Sequence, residues 1–251
     1  MAFIDTSVDR IKPSFYRVFS RIGLDIPTIP TDEYLLDYPP SSTSFVDVGH
    51  FVRHIMVGGY HNLREDQLIR MLTLCFNATD VALWVGEVQT HPAVKSALLQ
   101  LPLQRLSADL SHLQRSDFLT PSFQSITHLH VINMGSKRVG WNYWEILTSL
   151  PKLTHICISK NVEVEAINNL LSQCVSLSLL VAVIGTSSHR HTKPSGSYHT
   201  IDDHRLILVD RYGTKKAEAD WEDGANGRPD MWDFCGLIRD ARDGTPYYLL
   251  R

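Results

Sequence analysis

The chain has 251 residues, 24 Lys plus Arg against 27 Asp plus Glu, a formal charge of -3, 43% apolar residues and 20% charged ones. That is the balance of a globular protein with enough apolar mass for a sizeable core, built as one large domain or one domain with appendages. Near-neutrality, a pI of about 6.4 and the lack of any Lys/Arg run exclude a dedicated nucleic-acid or anionic-membrane binder, because such proteins use a basic excess to release counterions from phosphates.

The opening MAFIDTSVDRIKPSF lacks the charged-then-apolar layout of a signal peptide, and the apolar stretch Leu177 to Ile184 is far short of the roughly 20 residues of a membrane span. No membrane partner and a cytoplasmic or nuclear location are expected. Val8, Ile11, Phe15, Val18, Phe19 and Ile22 share helical spacing, with Pro13 as a kink. Residues 23 to 44, with Pro27, Pro30, Pro39, Pro40 and a Ser/Thr cluster, read as extended chain. Residues 1–47 are therefore expected to be an N-terminal helix and irregular cap over an open edge; the alternative is an amphipathic helix for a partner or a membrane surface.

Over residues 48–210 a short apolar motif returns: HIMV at 54, ALWV at 82, RLSA at 105, HLHV at 128, HICI at 155, LLVA at 179 and LILV at 206. The second residues of these copies are 28, 23, 23, 27, 24 and 27 positions apart. Between them, Pro92 to Leu99, Trp141 to Leu150 and Val164 to Leu171 carry helical spacing, and the prolines of Leu101-Pro102 and Leu150-Pro151 stop the chain from continuing as helix. A strand and a short helix in about 25 residues is too short for a doubly wound unit and fits a leucine-rich repeat. The expected fold is α/β: a short leucine-rich-repeat-like solenoid of about seven strands, with a parallel sheet on the concave face and helices on the convex face. The alternative is an irregular α/β domain with strands at chance intervals. The consensus Asn or Cys ladder is missing, Asn133 being the one candidate.

The connector Gly185 to His204, GTSSHRHTKPSGSYHTIDDH, is polar, aperiodic and long enough to be functional or disordered. Residues 211–251 read as a C-terminal cap: a turn-rich WEDGANG, then a helix with Pro229 at its first position and Met231, Phe234, Leu237 and Ile238 on one face, stopped by Gly244.

The pieces FVRHIMV at 51, ATDVALWV at 78, LPLQRLS at 101, ITHLHVI at 126, LPKLTHICIS at 150, CVSLSLLVAV at 174, DHRLILVD at 203 and DWEDGANGRPDMWDF at 220 resemble the F-box-like leucine-rich-repeat proteins of mushroom-forming fungi. The resemblance covers the chain from about Phe51 to Arg242 and is carried mostly by structural leucines. It implies a repeat fold and a substrate receptor of a cullin-type ubiquitin ligase, docked through an N-terminal F-box. Residues 1–47 show neither a Leu-Pro-x-Glu start nor a three-helix pattern, so the chain departs from the family where that docking module would stand.

On a parallel sheet, side chains alternate between two faces. With Leu129, Val131, Ile156 and Ile158 in the core, His128, His130, His155 and Cys157 point the other way on neighbouring strands about 4.8 Å apart. These are zinc-ligand types, but residues two apart on a strand are about 7 Å apart and zinc needs ligands within about 2.3 Å. A hydrogen-bonded histidine ladder beside Arg105 is expected, with neither metal nor cofactor; a metal-dependent or thiol enzyme centred on these four groups is the rival. His189, His191, His199 and His204, with Asp202 and Asp203, form a second cluster on the connector, without a framework to fix geometry. No nucleophile elbow or phosphate loop is present. Cys75, Cys157, Cys174 and Cys235 are spaced like free, mostly buried thiols of a reducing compartment.

The expected function is therefore recognition of a partner protein on the concave face through Trp84, Arg105, Asp109, His128, His130 and His155. Trp and Arg are typical interface anchors, and a rigid sheet lowers the ordering cost of binding. Trp84 fits the core equally well. Histidines at this density predict a contact that weakens near about pH 6.

Overall fold

A computed structural model describes residues 49–58, 65–84, 91–132, 144–159, 162–184, 200–210, 214–241 and 248–250. The segment 1–47, Asn133 and the histidines His189, His191 and His199 lie outside the described residues. The architecture is α/β. Strands β1 (His54–Val57), β2 (Asp80–Leu83), β3 (Arg105–Ala108), β4 (His128–Ile132), β5 (His155–Ser159), β6 (Leu179–Ile184), β7 (Leu206–Asp210) and β8 (Tyr248–Leu250) form one sheet whose spatial order is their chain order. Every neighbouring pair is parallel. Around it lie helices α1 (Glu65–Leu74), α2 (Pro92–Leu98), α3 (Pro121–Gln124), α4 (Val164–Gln173), α5 (Thr214–Ala225) and α6 (Met231–Asp240). No described helix is long and apolar enough to cross a membrane.

Each of the seven apolar motifs overlaps a strand, but two are shifted against the pairing. Ile55 pairs with Val81 rather than Leu83, so the second motif starts two residues late and keeps its face. Leu180 pairs with Leu206, so Ile207 turns to the opposite face from the one its place in the motif implies; a one-residue slip inverts every side chain.

A repeated hydrogen-bond device sets this register. The carbonyl of Arg53 accepts the amides of both Thr79 and Asp80, and that of Thr79 the amides of Gln104 and Arg105. Gln104 accepts from Thr127 and His128, Thr127 from Thr154 and His155, and Thr154 from Ser178 and Leu179. Hydroxyls reinforce it. Thr127 donates to Gln104 at 3.1 Å, Thr154 to Thr127 at 3.1 Å and Ser178 to Thr154 at 3.1 Å. A Thr/Ser ladder thus stands at the start of the strands, whereas the consensus Asn or Cys ladder, missing from this sequence, would follow them.

One face of the sheet is uniformly apolar: Ile55, Val81, Leu106, Leu129, Ile156 and Leu180 are at most 2% exposed. Leu68, Met71 and Leu72 of α1, Val94 and Leu98 of α2, Phe123 of α3 and Ile167, Leu170 and Leu171 of α4 pack with them in one cluster. Each such side chain contributes about 1.5–3 kcal/mol by leaving water. Helix α1 lies where no helix was expected, although Leu68, Met71 and Leu72 have helical spacing and Glu65 and Asp66 suit its first turn. Helix α2 starts at Pro92 and α4 extends to Gln173, close to expectation, whereas the described part of the third expected helix, 144–150, holds a 3-10 turn, Glu145–Ser149, beside buried Trp144.

The C-terminal segment departs further from the sequence reading. WEDGA is the last part of α5, and the turn begins only at Asn226. Arg228 N–H reaches the Asp223 carbonyl at 2.9 Å and Gly227 N–H the Gly224 carbonyl at 3.0 Å, the paired bonds of a Schellman stop, with Gly227 at φ 71°. Pro229 precedes the helix. Asp230 is its N-cap, accepting from the Trp232 and Asp233 amides while Asp233 receives the Asp230 amide in return. Gly227→Ala forces a Cβ into the left-handed region and should destabilise the chain by about 1–2 kcal/mol with no change in helix content, read from urea denaturation and far-UV circular dichroism.

Candidate functional site

The second face of the sheet carries Arg105, His128, His130, His155 and Cys157, most of the side chains expected to do chemistry or recognition. In register across its first row stand His54, Asp80, Arg105, His128, His155 and Leu179. The next row is Met56, Ala82, Ser107, His130, Cys157, Val181 and Ile207. The placement of His128, His130, His155 and Cys157 on one face is as expected. That face is not open to a partner, however: α5 and α6 lie across it. Ala217 of α5 packs with Met56, Ala82 and Trp84, while Met231 and Cys235 of α6 pack with Cys157, Leu179, Val181, Val183, Ile207 and Val209. The C-terminal helix expected to cap the end of the array therefore covers its face instead. The physical reason is that strands β6 and β7, reading LLVAVI and LILVD, are apolar on both sides, and a parallel sheet of that kind needs cover on both faces.

Under the cover the polar residues are paired. Trp84 Nε1 donates to Ser107 Oγ at 2.9 Å, Ser107 Oγ lies 2.9 Å from His130 Nδ1, and His130 Nε2 lies 2.6 Å from Ser159 Oγ. An indole only donates, so Ser107 has its own proton free for Nδ1, and the Nε2–H tautomer of His130 completes the chain into Ser159. Burial pushes His130 down to about 4. The rings of His128 and His155 stack 4.1 Å apart at 8°, and Trp232 of α6 meets both edge-on at 5.3 and 5.8 Å. Their Nδ1 atoms lie 2.9 and 2.8 Å from Thr127 Oγ1 and Thr154 Oγ1. Each of those hydroxyls gives its one proton to a ladder carbonyl, so the ring Nδ1–H is the donor. Burial, then the charges of neighbouring side chains, lowers His128 to about 3 and His155 to about 4. In the fold these three rings therefore stay neutral near pH 6, where histidines of ordinary pKa titrate.

Two contacts fasten the helices. Arg105 Nη1 donates to Asp230 Oδ2 at 2.9 Å, joining residues 125 positions apart, and Trp221 Nε1 donates to Asp80 Oδ1 at 3.1 Å. Asp80 also lies 3.3 Å from His54 Nδ1. Asp230 is 5% exposed, and its burial raises the carboxyl pKa against the opposing pull of Arg105. Gly224 permits the approach, since a Cβ there would overlap the Asp230 carboxylate. A cavity of about 30 Å³, room for one water, remains between the sheet and the helices beside Trp84, Arg105, Ser107, His130, Asp220 and Trp232.

Of the six residues expected to face a partner, Trp84, Asp109 and His130 are buried at 5, 7 and 8% exposure. Trp84 belongs to the core cluster under α5, and Asp109 binds the Ser111 amide at 2.8 Å in a turn. Arg105, His128 and His155 remain partly exposed and are engaged by α6. Among the described residues no three His, Cys, Asp or Glu groups are placed to hold a metal ion. Cys157 is fully buried and its thiol is pushed well above its ordinary pKa, first by burial, which removes the thiolate a nucleophile needs. Cys75, Cys157, Cys174 and Cys235 are buried and none of the four is in a disulfide, as their spacing predicts. The sequence reading missed Asp80, Trp221, Asp230 and Trp232. The signal for the last two was present: Asp230 followed three residues later by Asp233 is a capping pattern that starts a helix one residue beyond Pro229. Compared with known proteins, the chain matches no family model and no curated protein.

Arg105→Ala leaves the buried Asp230 carboxylate without its cation. The expected loss is about 2 kcal/mol in urea denaturation, below the cost of breaking a fully enclosed pair because Arg105 is 36% exposed. The histidines give a pH dependence of fixed sign. Their folded pKa values lie below the unfolded value of about 6.5, so the unfolded chain binds more protons between about pH 6.5 and 4, and stability falls as pH falls through that window. Buried His130 alone contributes a slope of about 1.4 kcal/mol per pH unit. His130→Gln should reduce the slope of unfolding free energy against pH by that amount; an unchanged slope would contradict the assignment.

Proposed function

We propose that the chain is a protein-interaction module of leucine-rich-repeat-like form. In this reading the sheet is the concave face of a short solenoid, α1 to α4 line its convex face, and the partner protein is bound on the strand face that carries the row from His54 to His155. The observation that carries it is that this face already engages a helix by directional contacts, with Arg105 on the Asp230 N-cap and the His128–His155 pair against Trp232. The neutral rings of His128, His130 and His155, each hydrogen-bonded, and the protonated Cys157 thiol supply recognition rather than turnover. With the resemblance to F-box-like repeat proteins, the role is that of a substrate receptor of a ubiquitin ligase.

Proximity labelling in cells tests the reading with three full-length baits: wild type, Arg105→Ala/His155→Ala on the strand face, and Glu165→Ala/Asn168→Ala on the exposed side of α4. With all three folded by circular dichroism, the partner set should be lost only from the strand-face variant. Identical partner lists from the two variants would refute it.

A further inference from the structure

We infer that the second face is a groove for an amphipathic α-helix that opens with an aspartate N-cap followed by Met and Trp, and that α6 is a resident copy of this ligand, so that the chain is self-occupied. The inference rests on the concave-face reading above and names the partner's chemistry and the regulation of the site.

Four contacts along α6 define what the groove selects. The cap carboxylate of Asp230 meets Arg105 at 2.9 Å. Trp232 sets its indole across the edge of the stacked His128 and His155 rings. Met231 and Cys235, one turn apart, enter an apolar well formed by Cys157, Leu179, Val181, Val183, Ile207 and Val209. Arg239 Nη1 donates to the Ser178 carbonyl at 3.0 Å, at the start of β6. Anion, aromatic, apolar pair and terminal cation follow one another along a helix, which is the logic of helix-in-groove recognition.

The resident helix is thinly held for so developed a surface. Of its ten residues only Met231 and Cys235 are buried, and Leu237 is 68% exposed. A helix of this length is marginal by itself and keeps its shape through the groove. The groove cannot simply empty, because Val181, Ile207 and Val209 are at most 5% exposed beneath α6 and would form an open apolar patch. Exchange against another helix of the same pattern keeps the well covered. An acidic loop would satisfy Arg105 but leave the well wet, so the partner is a helix.

The test is fluorescence anisotropy with a labelled peptide of residues 228–241, kept reduced, titrated with the full chain. Wild type should bind weakly because the groove is occupied in cis. Full-length Asp230→Ala/Trp232→Ala, which loosens the resident helix, should bind about tenfold more tightly, and adding Arg105→Ala should cancel the gain. Equal weak binding by wild type and by a folded double variant overturns the inference. If the double variant does not fold, hydrogen exchange on wild type decides: backbone amides of 231–240 exchanging at least about tenfold faster than those of 155–159 supports a separable helix, and equal protection overturns it. Loss of partners from the strand-face bait together with absent peptide exchange would leave the concave-face reading standing and remove only this one. Peptide exchange without any face-dependent partner would overturn both, since the groove would then serve only the chain's own helix.

Discussion

The carbonyl at the start of each of the early strands takes two successive amides from the next strand, and the arrangement of everything else follows from that shared acceptor. A parallel pair has evenly spaced bonds, and a slip of one residue would turn every side chain to the other face. Here the Thr79, Gln104, Thr127 and Thr154 carbonyls prevent that slip, and the Thr127, Thr154 and Ser178 hydroxyls add a third donor at several steps. Because register is fixed at the start of the strand, the residue that follows always joins one row. That is how His54, Asp80, Arg105, His128 and His155 come to lie side by side from five segments of chain.

Much of this was legible in the sequence because it depends on local periodicity. The interval of about 25 residues, the alternation of Leu129 and Val131 against His128 and His130, and the position shared by His54, His128 and His155 all survive in the structure. What was not legible depends on pairing between distant segments. ALWV looks like the second strand because Trp84 and Val85 are apolar, yet the amides of Thr79 and Asp80 bind Arg53, so the strand begins two residues earlier. Trp84 was ambiguous between surface and core, and it took a partner from another strand, Ser107, to place its indole inside. The contact of Arg105 with Asp230 spans 125 positions and leaves no trace in either neighbourhood.

The second face divides into two halves with different needs. Toward β6 and β7 it presents Leu179, Val181, Val183, Ile207 and Val209, which demand an apolar cover. Toward β1, β2 and β3 it presents His54, Asp80, Arg105 and Ser107, which demand polar partners. The C-terminal hairpin answers each half with a different helix. α6 places Met231 and Cys235 over the apolar half, and α5 brings Trp221 to Asp80, while the Asp230 cap sits where the two helices meet. Gly224 and Gly227 make that meeting possible, one by leaving room for the Asp230 carboxylate and the other by turning the chain through positive φ.

Histidine suits the boundary between these halves because its ring changes character with a single proton. Neutral, the stacked pair offers a flat apolar surface to Trp232 while its Nδ1–H groups are satisfied within their own strands by Thr127 and Thr154. A phenylalanine pair would stack as well but would leave those hydroxyls without a donor. A lysine or arginine pair would add charge beside Arg105. Two protonated rings at the observed separation of 4.1 Å would repel by about 4 kcal/mol at an effective dielectric of about 20, so the pair cannot carry two charges while stacked. The same groups that make the row look like a metal or catalytic site in the sequence therefore act as a neutral aromatic platform, and the chemistry they contribute is the shape and polarity of a seat for a helix.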